Sequence, residues 1–256
     1  MVHLLLGAGT GGSLTEYCPV AREGEMQNCK QCPSRMDGIF CDLSDSELDD
    51  LSSHKTTNRY KRGQKIFHEG NPPMGLFCIS TGKVKLEKSG SEGNEIILRL
   101  YKPGDILGYR SLITGDPYGA TAESMEESSI CFVDRHFFTK LIAKEPELAF
   151  KMLRRLAHEL SEAQDRIRDI SNKTVRQRLG ETILMLQSVH GIPQTDGDML
   201  DIRLSRADLA SMVNATPETV IRTLSDFQEE GFIKLDGKKI IVTDKTRLIE
   251  DAGLQY

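Results

Sequence analysis

The sequence predicts an α+β chain of three folded parts behind a cysteine-bearing N-terminal segment. Three patterns carry this expectation. Glycine-punctuated apolar runs fill Tyr60 to Val133, an apolar heptad runs from Leu153 to Ile170, and two short capped helices precede a hairpin near the C-terminus. A chain of 256 residues has room for two modest domains, each with its own core. The expected division is 1–42 as a cysteine-containing segment, 43–144 as a β domain, 145–172 as a long helix and 173–256 as a winged helix-turn-helix.

Composition narrows the function classes. Charged residues make up 28% and apolar residues 38%, an ordinary globular balance, and no apolar run approaches a membrane span. The start, VHLLLGAGTGG, has no basic leader and too short an apolar core for a secretory signal, so a cytoplasmic protein is expected. Thiols stay reduced there, which turns attention from disulfides to metal, cluster or redox roles for the cysteines. A net charge of −5 disfavours nucleic-acid binding through a global field, so any DNA contact needs a local face. Gly7, Gly9 and Gly12 fit G-x-G-x-x-G, but neither an amphipathic helix nor a second apolar strand follows, which disfavours a dinucleotide site.

Helical character begins at LSDSELDDLSSH, where Leu43, Leu48 and Leu51 keep helical spacing and Ser44 with Glu47 forms a capping-box pair. The runs KIFHEG, GLFCISTG, KVKLEKSG, EIILRLYKPGD, GATAES and SSICFVD follow, with turn signals about every ten residues, predicting a β sandwich or barrel. RHFFTKLIAKEP reads as a short helix. In the long helix after it, Leu153, Leu156, Leu160, Ala163, Ile167 and Ile170 alternate steps of three and four between charged flanks. So narrow a stripe predicts pairing with a second copy rather than burial within one domain. VRQRLGETILMLQSVHG is a further helix, and QTDGD reads as a polar loop.

The C-terminal stretch is the most informative. Ser205 can cap ADLASMV, Asn214 and Ala215 can turn the chain, and Thr216 can cap a second helix with Pro217 at its first position. Val220, Leu224 and Phe227 form the buried stripe. Glu218, Ile221, Arg222 and Ser225 point away from it, and the candidate DNA contacts are Glu218, Thr219, Ile221 and Arg222 with the caps Ser205 and Thr216, around the helix start that enters a major groove. Arginine can bond a guanine edge bidentately, glutamate can accept from a cytosine amine, and isoleucine can meet a thymine methyl. GFIKLDGKKIIVTD reads as a hairpin turning at Asp236 and Gly237, with Lys238 and Lys239 placed for phosphate. An enzyme is the rival class. It needs a base beside a nucleophile, and His3, His54, His68, His136, His158 and His190 are scattered outside any such motif.

On GLFCISTGKVKL, GNEIILRLYKPGDILG, the heptad helix and TPETVIRTL, the chain resembles the CRP/FNR family of bacterial transcription regulators from about Leu43 to Val242. The resemblance implies a cyclic-nucleotide-binding-type β jelly roll, a dimerisation helix and a recognition helix. It further implies a homodimer on a two-fold-symmetric operator that regulates RNA polymerase. Glu218 and Arg222 fall on the family's base-reading positions. Pro217 stands where readers of TGTGA half-sites carry a further arginine, so a TTGAT-like half-site is expected. Tyr109 and Arg110 follow GDILG where cyclic-AMP binders carry a glutamate, and Tyr118-Gly119-Ala120 replaces their arginine-containing phosphate motif. Cyclic AMP is therefore disfavoured as effector, and another ligand in the same cavity stays open.

The FNR branch of that family also holds a 4Fe–4S cluster on N-terminal cysteines plus one from the end of the jelly roll. Cys29, Cys32 and Cys41 supply C-x2-C-x8-C, and Cys131 falls at the distant position. The third spacing is longer than in the best-known pattern, and Cys131 also suits a strand core. Zinc with Cys18 as fourth ligand, reversible thiol oxidation and unliganded cysteines stay open beside the cluster. Cys78, in LFCIS, reads as core.

Overall fold

The computed structural model describes residues 28–90 and 95–254. Gly7, Gly9, Gly12 and Cys18 lie outside the described residues. A single turn at Cys29–Gln31 leads through a loop into α1 (Asp45–Ser53), whose capping box joins Ser44 and Glu47 reciprocally. The jelly roll follows as β1 (Lys55–Tyr60), β2 (Lys65–Phe67), β3 (Gly75–Thr81), β4 (Val84–Ser89), β5 (Glu95–Tyr101), β6 (Ile106–Leu107), α2 (Tyr109–Thr114), β7 (Thr121–Ser124) and β8 (Ser128–Asp134). Its antiparallel sheets run β1-β8-β3-β6 and β2-β7-β4-β5. Between them lie Phe67, Phe77, Ile79, Tyr101, Tyr118 and Ile130.

Strand alternation sends the neighbouring residues the other way. Leu76 and Val133, on the outer face of the first sheet, pack with Phe40, Leu48, Leu51 and Phe138. The loop of residues 28–43, α1 and α3 (Arg135–Lys144) thus cover that face. Leu148 and Met152, in the first turns of α4 (Pro146–Asn172), belong to the same cluster. Further along α4 the apolar side chains face outward. Leu153, Leu160 and Ile167 are 61%, 61% and 68% exposed, and Ala163 and Ile170 are exposed with them. Leu156 differs, being half-buried against the jelly-roll side. Arg155 to Asp105 (2.9 Å) and Arg99 to Glu159 (3.2 Å) hold α4 along the domain.

The C-terminal part comprises α5 (Val175–His190), β9 (Gly191–Gln194), β10 (Gly197–Leu200), α6 (Arg206–Met212), α7 (Pro217–Glu229), β11 (Ile233–Asp236), β12 (Lys239–Val242) and α8 (Lys245–Asp251). The stretch QTDGD (194–198), read from sequence as a polar loop, lies instead within a hairpin of residues 191–200 that extends the wing into a sheet of order β11-β12-β10-β9. The turn residues QTDG hid the short strands on either side. Met125, from the jelly roll, is buried in the C-terminal core, and Leu100 packs against it.

Candidate nucleic-acid interface and thiol cavity

Local chemistry builds the helix-turn-helix as its sequence predicts. Ser205 accepts from the Asp208 N–H, and the Asp208 carboxylate accepts from the Ser205 N–H at 2.8 Å. Asn214 takes a left-handed φ of 49°, tolerable for asparagine, at the turn. Thr216 then caps α7 by accepting from the Thr219 N–H at 3.3 Å, and Pro217 starts the helix. Val220, Leu224 and Phe227 are buried, which turns Glu218, Ile221 and Arg222 to the outside. Ile221 is 50% exposed on this face, where its side chain can meet a thymine methyl. Glu218 and Arg222 form no ion pair with each other among the described residues, so both heads are available to base edges.

The wing sits beside this face. Gly237 adopts φ of 58° at the tip between β11 and β12, where a side chain would strain the turn. Lys238 and Lys239 are exposed there. Arg206 donates to the Gly237 carbonyl at 3.3 Å and ties the first residue of α6 to the wing tip.

A second site lies under the N-terminal loop. Strand register aligns Thr57, Cys131 and Cys78 across β1, β8 and β3, so their side chains share the outer face. Cys78 and Cys131 are direct cross-strand partners, a placement that puts Cβ atoms roughly 5 Å apart. The loop brings Cys29 and Cys32 over them, and all four thiols line one cavity of about 480 Å³ counting its open mouth. Loop anchoring is specific. The Cys29 N–H donates to Ser52 at 2.9 Å, the buried Ser34 hydroxyl donates to the Ile79 carbonyl at 3.2 Å, and Cys32 Sγ lies 3.3 Å from the Ser34 hydroxyl.

Lys55 is the cavity's buried cation. It is only 9% exposed, donates to Cys131 Sγ at 3.6 Å, and forms no ion pair with a carboxylate among the described residues. Burial pulls its pKa down, but the Cys131 and Cys29 sulfurs more than offset this and hold it above the ordinary lysine value. Burial pushes the Cys131 thiol up, with Lys55 opposing, and pushes Cys78 up further. The Arg35 Nε, also at this cavity, is buried without a hydrogen-bond partner.

Cys41 stands differently from the sequence expectation, and Cys78 takes a second role. Cys41 does not line the cavity: Lys151 of α4 donates to its sulfur at 3.3 Å, and the thiol itself donates to Asp42. Cys78 packs against the core as expected and lines the cavity as well. Its alternation with Phe77 and Ile79 puts it on the same face as Ser80, a signal present in the sequence. Its pairing with Cys131 is not, because register between β3 and β8 is a tertiary fact. Among the described residues no group of three or more His, Cys, Asp or Glu is already gathered at metal-binding distances.

A jelly roll, a long helix with an outward apolar seam and a winged helix-turn-helix with a solvent-facing reading surface define a DNA-binding transcription regulator. Residues 57–145 match the cyclic nucleotide-binding domain and residues 177–250 the Crp-like helix-turn-helix domain. The chain belongs to the CRP/FNR family. It is 29% identical over 215 residues to a CRP-like cAMP-activated global transcriptional regulator of Mycobacterium tuberculosis, covering 84% of this chain and 96% of the relative. It is 26% identical to the fumarate and nitrate reduction regulatory protein of Vibrio cholerae, covering 89% and 91%. The structure of FixK2 from Bradyrhizobium japonicum is similar at a TM-score of 0.68 and 26% identity, covering 77% of this chain and 96% of that one. These relatives are regulators rather than enzymes. No helix among the described residues is long and apolar enough to cross a membrane.

Proposed function

We propose that this regulator is a cytoplasmic homodimer that binds palindromic TTGAT-like operators, acts on RNA polymerase, and reports oxygen or redox state through a 4Fe–4S cluster. The dimer reading rests on the exposed Leu153, Leu160 and Ile167 at seven-residue spacing. The half-site reading rests on Glu218 and Arg222 at the start of α7, with Pro217 beside them. Unbiased selection of bound DNA tests it, and recovery of TGTGA half-sites overturns it.

The observation that carries the sensing reading is the thiol cavity itself. Cys29, Cys32 and Cys131 line it together, which are three of the four cysteines expected as ligands. Thiolates are the ligands an iron–sulfur cluster takes, and a buried ammonium suits the negative charge they bring. The fourth position falls to Cys78, inside the cavity, or Cys41, outside it. Iron content of Cys78→Ala and Cys41→Ala proteins decides between them. When bound, the cluster would be held by these cysteines between the loop of residues 28–43 and the jelly-roll strands, and would supply an oxygen-sensitive group there. Anaerobic purification with iron and sulfide quantified, followed by operator binding before and after air, tests the reading. Metal-free protein that binds DNA equally in both conditions overturns it.

The cyclic-AMP name of one relative favours a small-molecule signal instead. Against that reading, Tyr118 stacks on Phe67 at 4.1 Å inside the jelly roll, and Arg110 is exposed. A cyclic phosphate needs charge-assisted partners within the barrel. Calorimetric titration with cyclic AMP checks this, with no binding heat expected.

A further inference from the structure

We propose that Lys55 is the charge-compensating residue of the thiol cavity, a positioning residue that steadies an anionic thiolate-bound metal group and slows its oxidation. The inference rests on the cluster reading above and adds a residue that does not ligate.

Lys55 opens β1, and strand alternation places its side chain on the cavity face, two residues before Thr57, which itself sits 3.5 Å from Cys131 Sγ. A lysine that is nine-tenths buried with no carboxylate in reach is a costly arrangement. Buried charges are paired, or they destabilise the fold by several kcal/mol. The residues lining the cavity include no Asp or Glu, and they do include Arg35 with its unpartnered buried Nε. The cavity lining thus carries two cationic side chains and four sulfurs but no acid, so an occupant that makes the sulfurs negative balances the charge.

Four thiolates do that. They outweigh the positive charge of a 4Fe–4S core, leaving the bound site net negative, and the Lys55 ammonium offsets part of this. Charge and hydrogen bonds at the ligand sulfurs set how readily such a cluster gives up an electron. A cation beside Cys131 disfavours loss of an electron to dioxygen, the step in which the cluster is oxidised and dioxygen reduced. Lys55 acts from the sheet side, where the jelly-roll fold holds it, while Cys29 and Cys32 come from the loop.

The test compares wild-type, Lys55→Met and Lys55→Arg proteins purified anaerobically, with iron and sulfide quantified, the midpoint potential measured, and visible absorbance followed in air. Expected is a lower potential and roughly tenfold faster bleaching in Lys55→Met, a rate ratio well within the reach of one removed charge, with Lys55→Arg near wild type. A merely structural role would leave the potential of the iron that still binds unchanged, and that result overturns the proposal while the cluster reading stands. If Lys55→Met is insoluble, Lys55→Gln gives the same neutral comparison. Wild-type protein holding neither iron nor sulfide overturns the cluster reading, and this proposal with it.

Discussion

The Ser211 hydroxyl accepts a hydrogen bond from the Ile97 N–H at 2.6 Å and donates to the Glu95 carbonyl at 2.8 Å. Ser211 belongs to the first helix of the helix-turn-helix, and Ile97 to β5, the open edge of a jelly-roll sheet. One side chain thus satisfies two backbone groups that an edge strand leaves unpaired. Lys85 to Asp208 (3.5 Å) and Lys83 to Asp201 (3.3 Å) flank it, so the jelly roll and the helix-turn-helix part are docked through β4, β5 and α6.

Ser211→Ala should therefore loosen this docking without unfolding either part. Leaving a part-buried N–H unsatisfied costs about 1–3 kcal/mol. Native-state hydrogen exchange should show the Ile97 amide exchanging faster, while Leu179 and Phe227 amides in the C-terminal core stay protected. Unchanged exchange at Ile97 would mean that water replaces the serine at no cost.

Arg222→Ala should weaken operator binding by about 1–3 kcal/mol and relax the preference at one base pair in each half-site. Arg222 is exposed and makes no ion pair among the described residues, so the melting temperature should not move. Lys239→Ala, at the wing, should instead weaken binding about equally on all sequences and lower the salt dependence by about one counterion. Fluorescence anisotropy at several salt concentrations separates the two.

The recognition helix was legible because capping, period and turn chemistry are local: Thr216, Pro217, Val220 and Leu224 state their roles within nine residues. The heptad was legible for the same reason. The thiol cavity was legible only in part. Cys29 and Cys32 announce themselves by spacing, whereas Cys78 joins them through strand register that no local pattern encodes. Cys41 continues the same motif, yet the loop closes so that Lys151, over a hundred residues away, takes its sulfur. Ser211 carries no sequence signal, because an edge strand chooses its partner only in the folded chain.

Leu160→Glu should produce a monomer. Leu160 is 61% exposed on α4 and touches no core of its own protomer, so the charge destabilises only a pairing with a second copy. Sedimentation velocity should show the halved mass, and circular dichroism should show unchanged helix content. Leu156→Glu is the contrast. Leu156 packs against the jelly-roll side, so that variant should also lower the melting temperature.

Acid should undo part of the docking through His190. Burial lowers its pKa from 6.5 to about 4, helped by the positive charges of Lys83 and Lys102 and opposed by Asp201 and Asp105. The folded value lies below the unfolded one, so the unfolded chain binds the proton more readily. The stabilising effect of a neutral His190 is complete above about pH 6.5 and is lost as pH falls toward about 4. Because water still reaches the ring, the loss should be on the order of 1–2 kcal/mol rather than the full linkage value. His190→Gln removes the titration and should flatten the stability profile of the C-terminal part across that window. Urea unfolding at pH 7, 6, 5 and 4.5 measures this, with wild type and variant converging at the acid end if His190 carries the effect. Parallel profiles would mean that His190 does not carry the acid sensitivity.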